Sequence, residues 1–160
     1  MSRRSDQLEA KKAIDLLRQE GNPLALAEAL RRLGEIERSL PGTDGGVAAY
    51  EEAVALFRQQ GEELKLAHTV RHLGDIQLHA GYVERAAQSY EMALGFYRRH
   101  PEAPPLDLAN ALRGMALLKE ATGETQIAIA LWQEATIIYE STNVTQGAEE
   151  GARRLSRLRQ

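Results

Sequence analysis

His68, His72, Asp75 and His79 stand at i, i+4, i+7 and i+11. On a helix advancing about 100° per residue, that spacing puts all four within about 60° of one face. Imidazoles one turn apart can share a divalent transition metal, and Asp75 could add a third ligand. The same histidines could instead gain charge below about pH 6.5 and change how the surface binds acids. Against a metal stand the register positions facing this stripe, Glu28, Arg32, Asn110 and Gly114, none of which is histidine. The guanidinium groups of Arg32 and Arg71 would also repel a cation. The stripe is therefore expected to be a polar helix face with no metal and no cofactor, and pH-sensitive binding stays open.

Other chemistries find little support. The absence of cysteine removes disulfides, thiolate zinc sites and thiol nucleophiles together. No glycine-rich phosphate loop, G-x-S-x-G or H-E-x-x-H occurs, so no enzymatic activity is expected. A net charge of -3 and a pI near 5.9 argue against a broadly basic nucleic-acid surface. Seven of the eight aromatics, all but Tyr82, fall on repeat-register positions of second helices, where they read as core and leave no platform for stacking bases. No apolar run is long enough to cross a membrane, and Met1 to Ser5 lead into charge without an apolar signal core. A cytoplasmic chain with neither membrane nor nucleic-acid partners is expected.

The elements that carry the stripe repeat. Leu30-Arg31-Arg32-Leu33-Gly34 returns as Val70-Arg71-His72-Leu73-Gly74, as Leu112-Arg113-Gly114-Met115-Ala116 and as Ala152-Arg153-Arg154-Leu155-Ser156, at offsets of 40, 42 and 40. Tyr50, Tyr90 and Trp132 obey the same offsets, each followed three residues later by alanine and seven later by Phe57, Tyr97 or Tyr139. An earlier copy is Ala10, Ala13 and Leu17. Apolar residues at i, i+3, i+4 and i+7 give the helical period, so each unit is two helices. The spacing predicts eight helices near 6–20, 23–40, 46–60, 63–80, 83–99, 106–122, 125–141 and 145–159, with Asn22-Pro23 opening one and Gly81 and Gly123 closing others.

The anchors Leu73-Gly74, Gly81, Ala86, Tyr90 and Ala93, repeated as Met115-Ala116, Gly123, Ala128, Trp132 and Ala135, resemble the tetratricopeptide repeat (TPR) family, in a longer variant of 40–42 residues as in kinesin light chains and many bacterial proteins. The resemblance implies an all-α, right-handed superhelical solenoid of antiparallel helix pairs. It covers residues 1–160 as one domain: a half unit at 6–21, repeats near 22–61, 62–103 and 104–143, and a capping helix at 144–160.

In that family the outer arc of the first helices lines a concave groove. Here that arc holds Arg31 and Glu35; His68, Arg71, His72, Asp75 and His79; Asn110, Arg113 and Leu117; and Arg153. Arg31, Arg71, Arg113 and Arg153 share one register. They read either as a ladder gripping the carboxylates of a partner, or as a solvated face paired with Glu35 and Asp75 one turn on. The chaperone-tail clamp of some family members is not expected, because Glu35 or Asp75 stands where an amide is needed.

The resulting expectation is a non-catalytic scaffold binding an acidic peptide or protein segment, with self-association through the terminal helices as the alternative. Two further expectations follow. Arg71→Glu should abolish binding while leaving the fold intact, and local stability should be lowest at Leu40 to Gly46.

Overall fold

The computed structural model describes residues 3–41 and 45–160. They form eight helices: α1 (Arg3–Glu20), α2 (Pro23–Glu37), α3 (Val47–Gln59), α4 (Glu63–His79), α5 (Val83–Arg99), α6 (Pro105–Ala121), α7 (Thr125–Ser141) and α8 (Thr145–Leu158). No strand occurs among the described residues. Each helix packs on the next in the chain, and first helix α4 also reaches first helix α6, as in a solenoid of antiparallel pairs.

Local chemistry sets the helix ends. Asn22 Oδ1 accepts the Ala25 amide at 3.1 Å, and Pro23 occupies the first helical position, where its missing N–H costs nothing. At four turns the amide two residues past the cap returns to a carbonyl inside the helix: Glu62 to Phe57, Tyr82 to Gln77, Glu124 to Lys119 and Val144 to Tyr139. The residue between is left-handed in each case: Gly61, Gly81, Gly123 and, uniquely among the described non-glycines, Asn143.

One helix start differs from the spacing. α5 and α7 begin three residues before Ala86 and Ala128, whereas α3 begins only at Val47, one residue past the register-equivalent Gly46. Gly46 has φ 83°, which no helix can contain, and a Cβ there would fall 2.5 Å from the Gly34 carbonyl oxygen. Gly46 thus stands as the N-cap of α3, its backbone crossing directly over Gly34. The expected weak point at Leu40 to Gly46 lies partly outside the described residues, since these omit 42–44.

The aromatic register forms the core. Tyr50, Tyr90 and Trp132 are fully buried, with Phe57, Tyr97 and Tyr139 beneath them. A Cβ on Gly34 would lie 2.5 Å from the Tyr50 ring and one on Gly74 would lie 2.9 Å from the Tyr90 ring, so the small residue of each first helix is the seat of an aromatic sixteen residues on. Tyr90 also presses on Gly114 of the next first helix and so joins two units. Phe96 is an exception to the expected register: it is half-buried and stacks on His100 at 4.3 Å. Among the described residues no helix is long and apolar enough to cross a membrane.

Candidate partner-binding groove

Several clefts open along the first-helix side, and three of them follow the expected groove from α1 to α6. One of about 590 Å³ lies between α1 and α2 and is lined by Asp6, Ala10, Ala13, Glu28, Arg31 and Glu35 among others. A second, about 230 Å³, shares Glu28 and Arg31 with it and adds Leu64, Lys65, His68 and Asp107. The third, about 500 Å³, has Ile76, Leu117 and the Tyr90 ring as apolar lining, with Arg38, His79 and Arg113 around them. Of the residues expected in the groove, Arg31, Glu35, His68, Asp75, His79, Arg113 and Leu117 line these clefts. Arg71, His72, Asn110 and Arg153 line none of the three.

Arg71 departs most from an exposed ladder rung. It is only 8% exposed, because α3, α5 and α6 all pack against α4. Its Nη1 donates to Asp75 Oδ2 at 2.9 Å and its Nη2 to His72 Nε2 at 2.6 Å. Asp75 also accepts the Tyr90 hydroxyl at 2.8 Å, so the carboxylate that pairs with Arg71 is held from α5, while the buried Arg71 Nε has no hydrogen-bond partner. With His72 Nε2 accepting, the ring proton sits on Nδ1, which faces Asp75 Oδ2 at 4.0 Å. Asn110 is similarly occupied, accepting the Tyr139 hydroxyl at 2.8 Å.

The histidine stripe divides. His68 and His72 meet edge to face, their ring centres 4.7 Å apart and their Nε2 atoms 3.2 Å apart, while His79 stands exposed at the third cleft. Among the described residues no three carboxylates or imidazoles converge as a metal site would need. Burial, then the neighbouring Arg71 charge, pushes the His72 imidazole down to about 2. The same two causes lower His68 against the pull of Asp107, which lies 3.5 Å from its Nδ1. Both shifts disfavour the charged form: His72 stays neutral below pH 6.5, and charging of His68 is opposed.

The same-register arginines all face carboxylates of their own chain. Arg31 reaches Glu28 at 3.3 Å instead of Glu35, Arg113 grips Glu150 with two bonds of 2.6 and 3.1 Å, and Arg153, 69% exposed on α8, lies 3.9 Å from Glu149. Several such pairs bridge successive first helices: Lys65 with Glu28 at 3.0 Å, His68 with Asp107, and Arg113 with Glu150. Burial opposes the Glu28 carboxylate, yet hydrogen bonds from Lys65 and Arg31 hold it below the ordinary range. Arg38, exposed and without an ion pair among the described residues, is the uncommitted guanidinium at the third cleft.

Two features escaped the sequence reading. Glu120 of α6 is nearly buried and accepts the Trp132 indole N–H at 2.6 Å together with Arg154 and Arg157 of α8. A second arginine register, Arg18, Arg58 and Arg98, runs along the second helices and meets Glu52, Met92 and Glu134 of the following unit at 2.7, 3.6 and 3.3 Å. Its offsets of 40 were visible in the sequence.

No family model matches the chain, and no curated protein matches it. Among solved structures it is similar to the crystal structure of BtubC (BKLC) from P. vanneervenii, with a TM-score of 0.68 and 19% identity over 98% of this chain and 75% of that one. Identity this low carries the fold alone. The chain is an all-helical solenoid of the TPR-like type.

Proposed function

We propose that the chain is a non-catalytic protein–protein interaction scaffold, acting as one repeat domain, which holds an extended or helical segment of a partner protein along its first-helix face. The observation that carries this reading is the run of clefts from α1 to α6, two of which share Glu28 and Arg31 and so form one trough. The third cleft supplies what a partner side chain needs: an apolar seat at Ile76 and Leu117, with Arg38, which has no ion pair among the described residues, beside it for a carboxylate. An acidic partner is supported chiefly there, because Arg31, Arg71 and Arg113 are neutralised internally. The test is affinity purification with the parent, Arg38→Glu and the second-helix variant Arg58→Glu. A partner kept by the parent and Arg58→Glu but lost by Arg38→Glu supports the reading, and a partner lost only by Arg58→Glu sinks it.

A second reading, self-association through the solenoid ends, draws on α1, where Leu8 and Leu16 are 56% and 59% exposed. Light scattering across a concentration series separates the two. A stable dimer broken by Leu8→Gln with Leu16→Gln favours assembly, and a concentration-independent monomer removes it.

A further inference from the structure

α8, like the opening helix α1, buries a single residue. In α8 this is Gly151, whereas each of α2 to α7 buries at least five. Gly147 and Gly151, one turn apart, lower its intrinsic helicity and bring its backbone onto the Tyr139 ring and the Thr136 hydroxyl, leaving little side-chain area to bury. α8 packs on α7, and side-chain charges tie it to α6. Arg154 and Arg157 both donate to the nearly buried Glu120 carboxylate of α6, and Arg113 of α6 takes Glu150 with two bonds. Arg154 also approaches Glu150 at 3.8 Å, so two α6 groups and three α8 groups form one network.

We propose that α8 is a detachable strap that masks part of the groove: its Glu150 occupies the Arg113 guanidinium in place of a partner carboxylate, and Glu120 latches the helix in that position. Arg113 lines the third cleft beside Arg38 and Leu117, so release of α8 turns one available guanidinium there into two. The strap rests on the geometry of α6 and α8, and the masking rests additionally on the reading of the groove as a site for an acidic segment.

Hydrogen exchange on the full chain tests the strap. Glu120→Gln should speed exchange over 145–158 about tenfold, the low end for losing charge-assisted hydrogen bonds, while α2 to α5 keep the parent's protection and so report a folded variant. Raising salt to about 0.5 M should move the parent the same way. Exchange over 145–158 that responds to neither change overturns the strap. Anisotropy of fluorescein-labelled hexaglutamate tests the masking: Glu150→Gln should bind it about threefold tighter than the parent, and adding Arg113→Gln should cancel the gain. Equal binding by parent and Glu150→Gln overturns the masking alone. Binding by neither overturns the masking together with the acidic-segment reading of the groove, and leaves the strap to the exchange result.

Discussion

Replacing Arg71 by Met keeps the aliphatic stem and removes the charge, and it separates a buried structural cation from a ladder rung. The Arg71 side chain is 10% exposed and its Nη1 lies 2.9 Å from an Asp75 oxygen; Asp75 is 25% exposed. Breaking a buried pair by removing one partner costs about 3–5 kcal/mol, because the survivor is left uncompensated. Asp75 retains some water access and the Tyr90 hydroxyl, which brings the expected loss to about 2–3 kcal/mol. In a chain of this length that lowers the thermal midpoint by about 5–10 °C. Arg71→Glu adds repulsion, since two carboxylates about 4 Å apart at an effective dielectric near 20 oppose each other by about 4 kcal/mol. The total then approaches the whole stability of an ordinary domain, about 5–15 kcal/mol. The expectation that this charge reversal spares the fold is therefore replaced by its opposite. Urea unfolding followed by far-ultraviolet circular dichroism measures both variants. A shift below about 0.5 kcal/mol for Arg71→Met, the size of an ordinary surface substitution, would refute the reasoning.

Other outcomes follow from the same packing. Gly114→Ala should destabilise by about 1–3 kcal/mol despite its gain in helix propensity, because the new methyl meets a Tyr90 ring anchored by Asp75; Gly95→Ala, whose methyl meets only the Arg99 guanidinium at 3.4 Å, should instead stabilise by up to about 1 kcal/mol. Opposite signs in thermal melts are required, and a gain at both positions would show that the Tyr90 seat is not tight. Below pH 6.5 the unfolded chain protonates His72 while the folded chain, with this ring pushed down to about 2, does not. Stability should therefore fall as the pH drops, this residue contributing about 2 kcal/mol between pH 7 and 5. His72→Gln should lose correspondingly less over that interval, and a loss equal to the parent's would falsify the assignment. Arg38→Glu should leave the urea midpoint unchanged while abolishing partner capture, since the residue is exposed and has no ion pair to break among the described residues.

By itself the sequence determined the helices, their order and the packing register. Periods of 3.6 and of 40–42 residues are properties of the chain, and glycine or asparagine at the turns leaves few other conformations open. Tyr50, Tyr90 and Trp132 could be placed in the core on those periods alone. The start of α3 could not, since a glycine reads as a small helical residue until a second backbone, that of Gly34, is seen crossing it.

The groove was legible as a set of positions and not as a set of charges. Seven of the expected residues line clefts because a helix face is fixed by spacing. Whether an arginine on that face is free depends on what the neighbouring helices bring to it. Arg71 is buried because three helices converge on α4, Arg113 is neutralised because Glu150 arrives thirty-seven residues later, and Arg38 remains available because no described residue pairs with it. Helical periodicity reports direction within one element. Burial and ion pairing depend on distances between elements, and only the tertiary structure decides those.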